Sequence, residues 1–483
     1  MSRNKKPEIP LWARTGHAKP ITRRELLAAG AIPFSASLMM PNWMKLLLPI
    51  EAHAATVCPV PATDMIPFIT VNLAGGAGLA SNFVPQDVGG QMLPSYSLVG
   101  LGKTPPIERE FGNVPFAGKT DPTDTTDTTL ISRFLAGVRL RAPTALAKTA
   151  FVATPVRSRD DSAENRFAVD GMLAKAGLAG GLLPNLGRRP NTLAGIGQEP
   201  AVVAPPTPLI VNSFTSLTSS LGYAGALGAA LKTNQKQSLA KLISGLSENQ
   251  SRKVASIQSG DEVKTLLDCA GIKNVELVKQ GTDVVDPRKD TAAGAQISTI
   301  WGINANTGAN DQNLIFSSMA FNALKNQSGS VALELGGYDY HDNTRTTGNT
   351  RDQQAGEAVG RLLETAAALN KPLFLYVTSD GATSSEMSDT QGAPWVSDRG
   401  TAGLTFMLYF NPAGRPTTSG FQIGQFTVGQ VADEKFVTGN SPEAAAAAAF
   451  ANYLAVNKRL DLFAAIAGRV LSNDLLQSIL KFS

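Results

Sequence analysis

The chain has 483 residues, of which 43% are hydrophobic and 17% charged, and its formal net charge is +4 at pH 7. This length suits one large α/β domain or two smaller ones, and the apolar content is that of an ordinary globular protein. The positive excess lies in residues 1–54, which hold 8 basic and 3 acidic residues; the remaining 35 basic and 36 acidic residues give a net charge of −1, so no overall field favours nucleic acid.

Residues 1–54 are predicted to be an export signal. Arg23 and Arg24 precede a weakly apolar stretch that ends at residues 52–54, Ala-His-Ala, a small-x-small cleavage pattern. Prolines and a lysine interrupt this stretch, whereas a membrane span requires about 20 uninterrupted apolar residues. We therefore expect a twin-arginine route to the periplasm or the exterior, with no stable span after signal removal. An amphipathic N-terminal helix with a chance arginine pair is the alternative.

Histidine and cysteine are both scarce. His17 and His53 lie in the predicted signal, which leaves His341 as the one imidazole of residues 55–483. A site that needs several imidazoles, as most multi-zinc hydrolases do, cannot be built from this set. The two cysteines, Cys58 and Cys269, either pair in an oxidising compartment or remain two free thiols, and the sequence leaves both alternatives open.

Beyond the signal, residues 55–483 are predicted to form one domain. Its first strand, residues 66–73, runs into a glycine-rich segment at 75–78. A helix is expected at 130–141 and a strand near 150–154. Residues 216–285 are mostly helical by pattern, with leucine and isoleucine at helix spacing, and they predict an inserted helical cap.

The most regular pattern lies in the C-terminal part. Two apolar strands, 331–335 and 373–377, flank a helix at 351–369, and a third apolar strand covers 404–410. Near-continuous apolar strands around a helix are typical of a parallel βαβ unit that is buried on both faces. We therefore predict an α/β fold with a mostly parallel sheet, helices on both faces and the helical insertion.

Further helices are predicted near the C-terminus. Ser441 is a good helix start, and the alanine-rich stretch that follows it is helical to Val456. A second helix is expected through residues 475–480, whose apolar side chains should cover the protein's own core. Gly356 and Gly360 lie one turn apart on the predicted 351–369 helix and permit close packing, most simply of that helix on the sheet.

Polar residues follow two of the predicted strands. Asp339 and His341 come after the 331–335 run, and Ser379 and Asp380 come after the 373–377 run. In parallel α/β sheets, sites lie beyond the carboxyl ends of the strands. A third cluster, Ser-Asp-Arg-Gly at residues 397–400, precedes the 404–410 strand. It joins the others only if its loop folds over the sheet or if that strand is antiparallel.

These motifs occur in a definite order: a strand ending in a Gly-Gly turn, then Gly336-Gly337-Tyr338-Asp339-Tyr340-His341, then Ser379-Asp380-Gly381, then Ser397-Asp398-Arg399-Gly400. In this order the chain resembles a large, uncharacterised family of twin-arginine-exported bacterial proteins that is related to alkaline phosphatases and sulfatases. The resemblance covers most of residues 66–410, and residues 336–341 are its most specific match. It implies an alkaline-phosphatase-like α/β core and a metal-dependent hydrolase ancestry.

The chain departs from the family pattern at three positions. Gly78 stands where the family usually has an aspartate, and Arg166 and Arg399 stand where it tends to have histidines. An arginine cannot ligate a metal, because it stays protonated and offers only hydrogen-bond donors. A two-metal phosphatase centre is therefore not expected.

Two interpretations of the site remain. In the first, carboxylates hold a single Mg²⁺ or Ca²⁺ through oxygen ligands. Arg166 or Arg399 then clamps an anionic substrate group, His341 is a ligand or a general acid/base, and Ser379 is a candidate catalytic residue. The many serines and threonines near these turns leave the nucleophile open. The predicted metal ligands are Asp339, His341, Asp380 and Asp398.

In the second interpretation the arginines have replaced the metals as counter-ions, and Asp–Arg pairs close the former site. We favour this interpretation, because three substitutions at one site accumulate more easily after catalysis is lost. The sequence thus predicts an exported protein with a degenerate phosphatase/sulfatase-like site that acts by binding or has a structural role in the cell envelope, with an anionic small molecule or an envelope protein as its partner. The alternative is a hydrolase of phosphate or sulfate esters that uses one carboxylate-held cation.

Overall fold

A computed structural model describes residues 65–93, 95–96, 102–103, 107–118, 132–158, 166–188, 208–219, 234–235, 238, 282–338, 345–385, 395–396 and 400–482. The predicted export signal and both cysteines lie outside these residues. Most of the predicted insertion at 216–285 also lies outside them, so the helical cap stays a prediction. The described residues at its two ends are helical.

One seven-stranded sheet forms the centre of the fold. Its strands, in chain order, are β1 (Phe68–Gly75), β2 (Thr149–Pro155), β3 (Leu186–Gly187), β4 (Leu209–Ile210), β5 (Val331–Tyr338), β6 (Leu373–Ser379) and β7 (Leu404–Phe410). They lie in the order β2-β7-β6-β1-β5-β3-β4. Strand β7 is antiparallel to both of its neighbours, and the remaining strands share one direction. The predicted mostly parallel sheet is confirmed.

The sheet is covered on both faces, because successive side chains of a strand point to opposite sides. Ile69, Val71 and Leu73 of β1 belong to one hydrophobic core, whereas Phe68 belongs to a second core on the opposite face. The same alternation places Leu375 in the first core. Strands buried on both faces explain the near-continuous apolar runs in the sequence.

Nine α-helices surround the sheet within the described part of the chain. They are α1 (Arg133–Arg141), α2 (Asp170–Lys175), α3 (Phe214–Thr218), α4 (Gly294–Trp301), α5 (Gln312–Leu324), α6 (Arg345–Ala368), α7 (Pro442–Val456), α8 (Phe463–Ala467) and α9 (Leu476–Ile479). The first core contains residues of α1, α4, α5 and α6, and the second contains residues of α2, α7, α8 and α9. Helices therefore lie on both faces, as predicted.

Shorter elements complete the description. Two-stranded ribbons pair Ser95–Tyr96 with Gly102–Lys103, Ile107–Glu110 with Val114–Ala117, and Ser384–Ser385 with Trp395–Val396. Single 3₁₀ turns lie at Leu79–Ser81, Leu146–Lys148, Thr282–Val285, Pro287–Lys289, Gly400–Ala402, Leu460–Leu462 and Asn473–Leu475. The predicted helix through residues 475–480 is only the short α9, and its apolar side chains pack on the second core as expected.

The predicted βαβ unit is present. Strand β5 leads through α6 to β6, and both strands lie parallel to β1, which separates them in the sheet. Helix α6 begins at Arg345, one and a half turns before the predicted start. Helix α7 begins as predicted, since the Ser441 hydroxyl accepts a hydrogen bond from the backbone N–H of Ala444 and so caps the helix.

The contacts of helix α7 relate its two ends to the two edges of the sheet. Near its C-terminus, the Tyr453 hydroxyl donates to the carbonyl of Ile66 at 2.7 Å, just before β1 begins. The 15-residue helix therefore runs about 22 Å back along the sheet, at 1.5 Å per residue. Its N-terminus, at Ser441, accordingly lies toward the edge where the parallel strands end, which we call the carboxyl edge.

Helices α1 and α6 cross at very short range because glycines line the contact. A Cβ added at Gly356 would lie 2.0 Å from the carbonyl oxygen of Phe134, and one at Gly137 would lie 2.3 Å from that of Gln353. Gly360 faces Val138 in the same way. The expectation that Gly356 and Gly360 pack on the sheet is therefore wrong: they admit a second helix, because only a missing side chain lets two helix backbones approach this closely.

Among the described residues, no helix combines the length and the apolarity that crossing a membrane requires.

Substituting Gly356 by Ala should destabilise the protein. The added methyl group meets the Phe134 backbone, which cannot move without displacing α1, and we expect a loss of about 1–3 kcal/mol in the free energy of unfolding. Gly308→Ala is the matched control, because nothing lies within 4 Å of its added Cβ. Urea denaturation of both variants measures the difference. Equal stability of the two variants would contradict the tight α1–α6 crossing.

Candidate functional site

The carboxyl ends of β6, β1 and β5 meet at the centre of the sheet. Leu73 of β1 pairs with Ser379 of β6 on one side and with Leu335 of β5 on the other. Beyond the strands, the Gly76 N–H donates to the carbonyl of Tyr338 at 2.9 Å. Because β1 is the middle strand, the ends of β5 and β6 lie on either side of its glycine turn.

The glycines after β1 are required by close packing. Gly75 has φ of 119°, in the region that favours glycine, and its carbonyl accepts the N–H of Gly381 at 2.7 Å. A Cβ on Gly76 would lie 2.8 Å from the carbonyl oxygen of Ala382. These glycines bring the chain after β1 against the chain after β6, so the two turns form one unit.

Ser379 holds these two turns together. Its side chain is buried, its hydroxyl donates to the carbonyl of Leu73 at 2.8 Å, and the N–H of Ala77 donates to it at 3.0 Å. Four residues further on, the Thr383 hydroxyl donates to the carbonyl of Gly76. The sequence nominated Ser379 as a catalytic candidate, and the structure places its hydroxyl in backbone contacts of the fold.

Asp380 is the most constrained carboxylate of this edge. Its side chain is only 6% exposed, and its Oδ1 accepts the N–H of Gly75 at 2.7 Å. Its Oδ2 is buried and has no hydrogen-bond partner among the residues that the structure describes. Burying an unpaired carboxylate oxygen costs free energy, and binding a proton or an electropositive ligand at this atom would offset that cost.

Glu334 lies near Asp380 and was missed by the sequence analysis. It pairs with Asn72 across β5 and β1, and Asn72 pairs in turn with Thr378 of β6, whose hydroxyl bonds the Asn72 side chain at 3.2 Å. Asp380 is two residues after Thr378 and therefore continues the same face. The two-residue alternation of polar positions on three neighbouring strands was the signal that would have identified Glu334.

The pKa of Asp380 is raised to about 6, chiefly by burial and to a smaller extent by the negative charge of Glu334. Hydrogen bonds from the backbone N–H groups of Gly75 and Gly381 oppose this rise by stabilising the carboxylate. Asp380 therefore keeps its proton to a higher pH than an exposed aspartate does.

A second buried network fixes α6 to this edge. The Tyr338 hydroxyl donates to the backbone carbonyl of Arg351 at 2.8 Å, and Asn82 donates to the Asp352 carboxylate at 2.8 Å. The Asn82 side chain also accepts the N–H of Phe134 at 3.0 Å. Burial, followed by the charge of Asp352, raises the pKa of Tyr338, which stays a neutral phenol.

Arg166 is held by an ion pair with Glu443, with an N–O distance of 3.0 Å and both side chains mostly buried. Glu443 lies in the first turn of α7, where the helix dipole favours a negative charge, and it accepts a hydrogen bond from Ser441 at 3.1 Å. Arg166 thus has a structural ion pair near the N-terminus of α7. Its proposed role as an anion clamp stays a prediction.

The condition on the third cluster is met, because β7 is antiparallel and begins where its neighbours end. The carbonyl of Gly400 accepts the N–H of Ser158, just after β2, at 2.9 Å. The chain from Gly400 onward therefore enters the sheet at the carboxyl edge.

Of the predicted site residues, the structure places Ser379 and Asp380 at the end of β6, and Glu334 of β5 lies near Asp380. Four predicted site residues lie outside the described residues: Asp339, His341, Asp398 and Arg399. Asp339 directly follows Tyr338 in the sequence, and convergence of these four residues on Asp380 stays a prediction.

A hard cation fits the chemistry of this edge in part. Asp380 and Glu334 supply oxygen ligands of the kind that Mg²⁺ and Ca²⁺ prefer, and the Oδ2 of Asp380 has no hydrogen-bond partner. The described residues alone contain no group of three or more histidines, cysteines, aspartates or glutamates that could hold a metal. A complete coordination shell would require the predicted ligands Asp339, His341 and Asp398.

Comparison of the chain with models of known protein families, with curated proteins and with solved structures finds no match.

The Asp380→Asn variant should change how stability depends on pH. The folded-state pKa of about 6 exceeds the unfolded value of 3.8, so between these values the folded carboxyl keeps a proton that the unfolded chain has released. Wild-type stability therefore falls as pH rises through this window, by up to about 3 kcal/mol. Asparagine cannot ionise and avoids this loss.

Urea denaturation between about pH 4 and pH 7, in a buffer containing a metal chelator, measures this effect. The stability of Asp380→Asn should rise relative to wild type as pH increases. Asp461→Asn is the control, because that side chain is 68% exposed and its curve should follow wild type. Parallel curves for Asp380→Asn and wild type would show that Asp380 ionises normally.

Proposed function

We propose that this chain is an exported protein with an alkaline-phosphatase-like α/β domain, whose degenerate phosphatase/sulfatase-like site binds rather than cleaves its ligand. The ligand class is an anionic small molecule or a segment of an envelope protein. The observation that best supports the proposal is that the Ser379 hydroxyl is hydrogen-bonded to backbone groups. The hydroxyl both donates and accepts backbone hydrogen bonds at the turn where a nucleophile would have to be free.

The engagement of Ser379 argues against its use as a nucleophile. An attacking hydroxyl needs a base to receive its proton and an unobstructed oxygen. The Ser379 proton points instead to the Leu73 carbonyl, and the oxygen accepts the Ala77 N–H in a buried position. Freeing the hydroxyl would break two contacts that hold the β1 and β6 turns together.

The charged residues support the same proposal. Arg166 and Arg399 occupy positions where the resembling family tends to have histidines, and Gly78 replaces an aspartate. Arg166 is ion-paired with Glu443. A guanidinium binds oxyanions well and cannot ligate a metal, so these exchanges retain anion recognition while removing metal-binding capacity.

One observation favours a second candidate, a phosphate- or sulfate-ester hydrolase that uses a single cation. The Oδ2 of Asp380 lacks a hydrogen bond, and Glu334 supplies a second carboxylate beside it. A bound divalent cation would polarise an ester oxygen and stabilise developing negative charge. Asp380, Asp339, Asp398 and His341 are the residues that would hold it.

Metal analysis combined with an ester-hydrolysis assay separates the two candidates. The binding proposal expects less than one divalent ion per chain and no turnover of aryl phosphate or aryl sulfate with added Mg²⁺ or Ca²⁺. One tightly bound ion per chain, together with hydrolysis that Asp380→Asn reduces by 100-fold or more, would establish the hydrolase instead. Asp461→Asn serves as the control for a general loss of negative charge.

The Ser379→Ala variant should lose stability without changing ligand binding. Removing the hydroxyl leaves the buried Ala77 N–H unsatisfied, and we expect a loss of about 1–3 kcal/mol in the free energy of unfolding. Urea denaturation measures the loss, with Ser478→Ala on the exposed surface as control. A Ser379→Ala variant that is as stable as wild type, but has lost an ester-hydrolysing activity, would assign Ser379 to catalysis.

A further inference from the structure

Arg351 of α6 lies directly against the paired glycines that end β5. A Cβ added to Gly337 would lie 2.9 Å from the Cζ atom of Arg351, 2.9 Å from its Nη2 atom and 3.1 Å from its Nε atom. Gly337 also has φ of 89°, in the region that favours glycine. The guanidinium of Arg351 therefore lies in space that a side chain at position 337 would otherwise occupy.

The guanidinium presents an open bidentate edge. Its Nη1 donates to the side chain of Gln354 at 3.0 Å, one turn further along α6. Its Nε and Nη2 have no acceptor among the residues that the structure describes, and within that part of the chain Arg351 forms no ion pair. Nε and Nη2 form the side of a guanidinium that meets two oxygens of one oxyanion in parallel.

The backbone of Arg351 is fixed from both sides. Its carbonyl accepts the hydroxyl of the buried Tyr338, and the next residue, Asp352, accepts the side chain of Asn82. A guanidinium on an anchored backbone loses less freedom when it binds a ligand. The hydrogen bond from its Nη1 to Gln354 restricts it further.

Space for a ligand lies beside this edge. Among the residues that the structure describes, none lies within 4 Å of the position that a Cβ on Gly336 would occupy, and both Gly336 and Gly337 are exposed. Small exposed residues next to a cation allow a ligand group to reach the guanidinium without meeting side chains of β5.

We propose that Arg351 is the anion-binding residue of the carboxyl edge, and that the oxyanion group of a small-molecule ligand (phosphate, sulfate or carboxylate) seats on its Nε and Nη2 atoms beside Gly336 and Gly337. This inference rests on the proposed binding function and names the residue that recognises the ligand. Gly76 and Tyr338 connect this position to the turn that carries Asp380. The edge therefore presents the Arg351 guanidinium on the β5 side of the β1 turn and the buried Asp380 carboxylate on the β6 side.

The test is titration of the purified protein with inorganic phosphate, sulfate and acetate, at constant ionic strength and with a metal chelator present. Isothermal calorimetry or phosphorus NMR measures the affinity. Wild type should bind saturably, and Arg351→Gln should weaken the binding of the tightest anion about tenfold or more. Arg351→Lys should fall between the two, because lysine keeps the charge and lacks the bidentate edge.

One further variant is a control for charge, and another tests the position of the guanidinium beside Gly337. Arg459→Gln removes an exposed arginine that lies 3.7 Å from Asp461, and it should bind as wild type does. Gly337→Ala keeps Arg351 and should weaken anion binding, because its methyl group occupies the place of the guanidinium. Circular dichroism establishes that each variant is folded.

The proposal is overturned if wild type shows no saturable binding of any of the three anions, or if folded Arg351→Gln binds them as wild type does. Ester hydrolysis with Arg351-dependent anion binding would overturn the binding function and leave this assignment intact. Absence of hydrolysis together with Arg351-independent anion binding would overturn this assignment alone.

Discussion

The position of β1 in the middle of the parallel sheet determines the rest of the structure. Its side chains are buried on both faces, and β5 and β6 flank it in the same direction. Parallel strands that share a direction also share a carboxyl edge, so the ends of β1, β5 and β6 lie side by side. Backbone hydrogen bonds of Gly75 and Gly76 hold the three strand ends together. The candidate site is a consequence of this alignment.

Most of the polar side chains at the carboxyl edge form hydrogen bonds that stabilise the fold. Ser379 and Thr383 bond the backbone of the β1 turn, and Asn82 links α6 to the chain before α1. Buried polar groups need partners, because an unsatisfied donor or acceptor costs about 1–3 kcal/mol. Against this background two groups stand out by their unused capacity to bind: the Oδ2 of Asp380 and the bidentate edge of Arg351. The Oδ2 of Asp380 can bind a proton or a cation, and the bidentate edge of Arg351 can bind an oxyanion.

The strands and long helices followed closely from apolar periodicity, because burial on both faces of the sheet leaves little choice of residue. Three features did not follow. Glu334 was hidden inside an apolar run, since its role depends on Asn72 and Thr378 of neighbouring strands. Gly356 was assigned to a helix–sheet contact, because spacing along one helix does not identify its partner. The direction of β7, on which the position of the 397–400 cluster depends, was equally open in sequence.

The sequence by itself determined the α/β class, the order of the elements and the polar character of the turns after β5 and β6, because these depend on residues near one another in the chain. Only the tertiary structure decided that Ser379 is held by backbone groups, that Arg166 pairs with Glu443 and that Arg351 lies on Gly337. Each of those contacts joins segments that approach only when the strands align. The local sequence pattern does not predict which atoms a side chain will contact once these segments approach each other.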